Sequence, residues 1–291
     1  MKKVFYDYHN LDKEIILNKY IPLTVEEAIE VLQSDEIENF RAYVTYEQGE
    51  NILFFISKEK IPRIFVVKRD IDRKDRYSNE KKILEKITKD LSDECHKVLN
   101  IGRAENIDGV DVIVMEYFDG NLAEIVSDLY EDERREILGK VVVALECFDS
   151  KNLAYTDLKL EQVLFRQKDD SFYDIKLTDF EVTNIENSSD TILMTYKIPD
   201  KYYRRKNFSP YIDLYVVWGL VVFVLSLWTF SSIRQEKNIR KLLGKPRKLF
   251  KYLEKITLPK DVRDFIERTY NNLENTSMED VFDELKIIAI S

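Results

Sequence analysis

The chain has 291 residues, with 45 Lys and Arg against 54 Asp and Glu, a formal charge of -9, and 44% apolar residues. That length suits one large domain or two lobes sharing a cleft, and the apolar fraction excludes a disordered chain. The acidic balance argues against a surface coated throughout with bases for nucleic acid.

From the N-terminus, MKKVFYDYHNLDKE lacks the apolar stretch of a secretory signal. Thr24 with Glu27 three positions on predicts a capped short helix. Three runs rich in β-branched and aromatic residues follow, FRAYVTYE (40 to 47), NILFFIS (51 to 57) and RIFVVKR (63 to 69), with Gly49 in the first connection. A charged helical stretch over 76 to 90 precedes two more β-like runs, KVLNIG (97 to 102) and VDVIVMEY (110 to 117). Beyond Gly120 the helical period dominates, over 121 to 130, 132 to 149, 211 to 230, about 234 to 256, 261 to 273 and 278 to 289. Short β-like pieces, QVLF (162 to 165) and YDIKLT (173 to 178), interrupt it.

Two features of this pattern leave a choice. LYVVWGLVVFVLSLWTF (214 to 230) is apolar almost throughout and sits at the lower length limit for a membrane span. It suits equally the central helix of a large core, which Asp213 at its start and the resumed helical pattern favour. Cys95 and Cys147 stand far apart without paired-ligand spacing, which supports neither a zinc site nor a disulfide framework and predicts buried free thiols in a reducing cytoplasm.

The most telling stretch is YTDLKLEQVLF (155 to 165), where an acid, a base and an amide precede a strand. DLKLEQVLF resembles the catalytic loop of the protein kinase superfamily, and IKLTDFEV (175 to 182) resembles the strand leading into its D-F-G motif. IFVVK resembles the strand carrying the nucleotide-binding lysine, NEKKIL the helix carrying its glutamate partner, and VMEYFDG the hinge. YKIPD resembles the A-P-E end of the activation segment, and SPYIDLYVVWG the start of the large lobe's central helix. These seven segments occur in the family's order from about 37 to 291.

The resemblance implies an α+β bilobal protein-kinase-like fold. An N-terminal extension over 1 to 36 would pack on a small β-rich N-lobe with one main helix (37 to 118), and a larger helical C-lobe would follow (119 to 291). It implies ATP and Mg2+ as cofactors. Lys68 would hold the α and β phosphates, Glu80 would orient it, and Met115, Glu116 and Phe118 would line the hinge side of the nucleotide site. Asp179 would ligate magnesium, with Gln162 at the second metal ligand's place. Asp157 would accept the substrate hydroxyl's proton, and Lys159 would offset charge on the transferring phosphate. Lys159, two after the acid, points to Ser or Thr as acceptor.

The departures are specific. YEQGEN replaces the glycine-rich loop, so fewer backbone amides can approach the phosphates closely. Tyr155 and Thr156 stand where the family has His-Arg, which removes the arginine that receives an activation-loop phosphate. Glu181 replaces the glycine of D-F-G, Gln162 is one methylene longer than asparagine, and Leu193 stands where a threonine is common. Asp200 and Asn275 occupy both positions of a family ion pair, and Gly219 falls one place late after Asp213. These departures motivate an alternative, a pseudokinase acting as a nucleotide-binding or scaffold module.

Charge is also segregated: fourteen Lys and Arg lie between 197 and 255, opposed by Asp200, Asp213, Glu236 and Glu254. This is either a solvated face or a docking surface. As a docking surface it suits a protein partner, an acidic one first, ahead of nucleic acid or anionic lipid. The location expected is the cytoplasm, without a transmembrane segment.

Overall fold

The computed structural model describes residues 21–33, 40–44, 51–56, 63–68, 74–107, 110–168, 172–180, 183–185, 198–199, 212–229 and 242–291. Gly49 with its YEQGEN connection, Glu181, Leu193, Asp200 and the bases from Lys197 to Lys241 lie outside these residues, as does the side chain of Lys68. The chain forms two compact units, Met1–Asp90 with Asn100–Phe118, and Leu91–Leu99 with Asp119–Ser291.

The first unit is built on a six-stranded sheet. Strands β2 (Phe40–Val44), β3 (Asn51–Ile56), β4 (Arg63–Lys68), β6 (Val110–Met115) and β5 (Arg103–Ile107) lie in that order, each antiparallel to its neighbour. β6 pairs β4 only over Val66 to Lys68, and the short strand β1 (Ile21–Pro22) pairs in parallel at Arg63 and Ile64. In β6, Val112, Ile113 and Val114 are all fully buried, as a continuous apolar run bounded by turns suggests. Helix α1 (Val25–Gln33) packs on β5 and β6 through Ala28, Ile29 and Leu32. Its start is the expected capping box: Glu27 N–H donates to Thr24 Oγ1 at 3.2 Å and Thr24 N–H donates to Glu27 Oε2 at 3.0 Å. Helix α2 (Lys74–Ile87) buries Glu80, Ile83, Leu84 and Ile87, one face of a 3.6-residue period with a carboxylate in it.

The expectation of a strand over 97 to 102 is corrected. Asp93–Val98 is a helix, α3, because the Ser92 hydroxyl accepts from Cys95 N–H and closes its first turn. Leu99 makes only an isolated bridge to Leu177, and the strand begins at Arg103, in a polar run without clear alternation. The expectation of free thiols is corrected as well. Cys95 of α3 and Cys147 of α5 (Glu131–Asp149) are both buried and joined in a disulfide. The packing of α3 on α5 brings their Cα atoms to 5.9 Å, within bridging range, which a separation of 52 residues does not reveal.

The second unit surrounds helix α6 (Ile212–Thr229), of which fourteen residues are buried. α5, α8 (Lys260–Asn272), α9 (Met278–Ile290) and the short strand β8 (Leu153–Tyr155) all touch it. The described part of the apolar run, 214–229, is therefore part of a core helix, most of it buried inside the protein. One helical expectation is shortened and another is interrupted. Behind the two-residue strand β7 (Gly120–Asn121), the stretch 121 to 130 gives one turn, α4 (Leu122–Ile125), capped by a reciprocal Asn121–Glu124 box. Of the stretch 234 to 256, residues 234–241 lie outside the described residues; Leu242 and Leu243 are helical, a turn follows at Gly244, and helix α7 runs from Pro246 to Leu253 with the proline in its first turn, where it is tolerated.

One ion pair ties three of these helices. Arg135 of α5 donates to both oxygens of Asp261 at 2.8 and 3.3 Å and to the carbonyl of Ile288. The Arg135 bond holds the Asp261 carboxyl below the usual carboxylate range, against the upward push of partial burial. Stability from this pair is present above the unfolded pKa, about 3.9, and is lost as pH falls through the lower folded value. Asp261→Asn should therefore lower the urea midpoint at pH 7 and converge with wild type in strong acid. Parallel midpoints at every pH would show that the pair contributes nothing.

Candidate functional site

Strand β8 runs into a loop, a 3-10 turn at Leu160–Gln162 and strand β9 (Val163–Lys168), which forms a hairpin with β10 (Phe172–Leu177). After Phe180 the chain returns as β11 (Thr183–Ile185), antiparallel to β8, with Thr183 opposite Tyr155. Val163 lies opposite Leu177, and Thr178 N–H donates to the Gln162 carbonyl at 3.0 Å. Two ladders thus bracket the segments around 157 and 179 and hold them side by side.

Asp157 is buried, and Lys159 Nζ stands 3.0 Å from its Oδ2. Gln162 is 2% exposed; its Nε2 is 3.5 Å from Asp179 Oδ2, and its Oε1 is buried without a hydrogen-bond partner. The structure therefore brings Asp157 together with Lys159, and Gln162 together with Asp179. Asp179 has φ of 64°, a left-handed conformation that aspartate tolerates better than bulkier residues and that recurs at functional sites. The amide nitrogen faces the carboxylate and the amide oxygen is without a partner; with the amide turned over, that oxygen and the Asp179 carboxylate would make a hard-oxygen donor pair of the kind magnesium takes, so these residue types fit the metal.

Tyr155, which sequence reasoning treated only as a departure, organises the floor of this site. Its buried hydroxyl donates to the carbonyl of Thr178 at 2.7 Å, directly before Asp179. Its ring meets Phe148 edge-on at 5.3 Å, and Phe148 meets Phe180 at 5.2 Å. The usable signal was a tyrosine, with one apolar body and one polar tip, two residues before the acid. Beneath the loop, Leu158 rests on α6 where a Cβ at Gly219 would stand 3.4 Å from Leu158 Cβ.

The remaining site residues belong to the first unit. Lys68 ends β4, opposite Ile113 of β6. Glu80 is buried on α2. Met115 and Phe118 are buried and Glu116 is half-buried. Asn100, also missed, donates through Nδ2 to the Glu116 carbonyl at 3.4 Å.

Residues 54–279 match the family profile described as the protein kinase domain. The chain is similar to a carbon catabolite-derepressing protein kinase of Secale cereale, 29% identical over 165 residues, which are 54% of this chain and 31% of that protein. It is also similar to the serine/threonine-protein kinase RAD53 of Saccharomyces cerevisiae, 23% identical over 176 residues, which are 53% of this chain and 21% of that protein. The matched stretches span less than a third of either relative. Among solved structures it is similar to the Cydia pomonella granulovirus kinase PK-1, 18% identical, covering 90% of this chain and 99% of that one with a TM-score of 0.61. At that identity the likeness is one of fold.

Tyr155→Phe leaves the Thr178 carbonyl without its buried donor and should cost about 1 to 3 kcal/mol, read from urea unfolding. An unchanged midpoint would show that the hydroxyl bond is not holding this segment.

Proposed function

Because the chain belongs to the protein kinase domain family, we propose that it is an ATP-dependent kinase that passes a γ-phosphate to a Ser or Thr hydroxyl of a protein. The observation that carries this reading is the buried Asp157 carboxylate with Lys159 3.0 Å away, on a loop clamped against the segment that bears Asp179. Phosphoryl transfer needs positioning and charge stabilisation more than covalent participation by the protein. Asp157 accepts the proton of the incoming hydroxyl and aims its oxygen. Lys159 neutralises charge on the phosphoryl oxygens and keeps the Asp157 carboxylate in one orientation. Asp179 and the Gln162 amide oxygen would hold magnesium, which when bound shields the charge on the phosphate chain. Lys68 binds the α and β phosphates, with Glu80 as its ionic partner, and the backbone of Met115, Glu116 and Phe118 holds the base.

Labelled ATP with a protein acceptor tests this directly. Asp157→Ala should reduce kcat by about 10²- to 10⁴-fold, the usual contribution of a positioned base. Equal rates would remove the enzyme reading. A thermal shift with Mg-ATP corresponding to about 2.7 kcal/mol at 100 times Kd, without transfer to any acceptor, would favour the non-catalytic nucleotide-binding alternative.

The partner reading rests on α7. Its Leu249 and Leu253 are buried, while Arg247, Lys248 and Lys251, with the flanking Lys245 and Lys255, are exposed. None of these five has an ion-pair partner among the described residues, unlike Arg135 with Asp261 or Lys286 with Glu146. In a chain of charge -9 such a face suits an acidic segment of a protein substrate. Lys248→Glu with Lys251→Glu should raise KM for an acidic protein substrate several-fold at low salt and leave kcat on a short neutral peptide unchanged. Equal KM values at low salt would exclude this face from docking.

A further inference from the structure

The carboxylate of Glu80 is 2% exposed, and a buried ion is useful only where its counter-charge stands at a fixed place. The helix that carries it must therefore be held to the sheet that carries Lys68. A directional polar contact contributes to this. Tyr77, one turn before Glu80 on α2, donates its hydroxyl to the carbonyl of Val112 in β6 at 3.1 Å. Val112 adjoins Ile113, the register partner of Lys68, and lies one residue past the last β4–β6 pair. Residues three apart on a helix share a face, so the anchor and the carboxylate approach the sheet together.

We propose that Tyr77 is a positioning residue: through its bond to the Val112 carbonyl it sets where Glu80 stands relative to the end of β4, and so how well Lys68 is presented to a nucleotide's phosphates. The apolar contacts of Ile83, Leu84 and Ile87 bury the helix without fixing it, because dispersion and hydrophobic contact are non-directional and allow it to slide or roll. A directional bond next to the lysine's register position restricts that freedom. The hydroxyl is pushed up to about 12 by burial, then by the negative charges of Asp111, Glu80 and Glu105, so it keeps its proton and remains a donor across the physiological range.

The proposal rests on the reading that Lys68 and Glu80 serve nucleotide phosphates, and the test separates the two. Wild type, Tyr77→Phe, Glu80→Gln and the double variant are titrated with Mg-ADP by calorimetry, and each is unfolded in urea. Tyr77→Phe should weaken Mg-ADP about 3- to 10-fold, Glu80→Gln at least as much, and the double variant no more than Glu80→Gln alone, the non-additivity expected of residues acting through one another. A Tyr77→Phe variant that binds like wild type, or losses that multiply in the double variant, would overturn the positioning role while leaving the phosphate reading intact. Multiplied losses together with a lowered urea midpoint would mark Tyr77 as structural only. Absence of binding by wild type would overturn the phosphate reading, and this inference with it.

Discussion

Two backbone ladders, β8 with β11 and β9 with β10, bear the weight of this site. Between them the chain departs from regular structure twice, around 157 and around 179, and the Thr178 to Gln162 hydrogen bond stitches the departures together. Without that closure, Asp157 and Asp179 would be two acids on separate loops, each drawn to water. With it, the segment of Asp179 is held beside Gln162 by hydrogen bonds that the folded backbone must make in any case. The floor beneath is apolar and rigid, with Phe148, Tyr155 and Phe180 in edge contact and Leu158 seated on the core helix. The flexible chemistry is thus confined to side-chain tips.

Much of this is legible in the sequence. Strong periodicity gave α5, α6, α8 and α9 with small boundary errors, and the Thr24–Glu27 box appears with both of its bonds. Strands at 51–56, 63–68 and 110–115 follow apolar runs that leave few alternatives. Asp157, Lys159 and Gln162 lie within six residues, so their neighbourhood is a local property. Asp179 joins them through a hairpin only a few residues long at its turn, and hairpins are among the better sequence signals.

The failures share a cause, which is that non-local contact outvoted local pattern. KVLNIG reads as a strand by composition, yet Ser92 upstream nucleates a helix that consumes its first two residues. The disulfide depends on two helices far apart in sequence choosing to pack, and nothing in the spacing of two cysteines encodes that choice. With the thiols bonded, the step from free thiols to a reducing compartment loses its premise. The bonds of Tyr155 and Tyr77 were missed because a tyrosine in the sequence marks a polar tip without naming the distant carbonyl it meets. Both act on residues 23 and 35 positions away.

The departure at Tyr155 and Thr156 is best understood electrostatically. An arginine ahead of the acid would place a second, movable cation near Asp157 and would itself need an anion, which family members can supply by phosphorylation. Here the cation at Asp157 is Lys159, from the same loop and 3.0 Å away, and the position before the acid is a fully buried threonine. A buried guanidinium without an anion would be costly, so replacing it by a small neutral residue removes both the cost and the demand for an added phosphate. The tyrosine then restores by hydrogen bonding what the charge no longer organises, since it pulls the Thr178 carbonyl down onto the aromatic floor and holds Asp179 in its left-handed turn. Among the described residues, the loop is thus tied to the segment before Asp179 by neutral hydrogen bonds as well as carrying the Lys159–Asp157 pair.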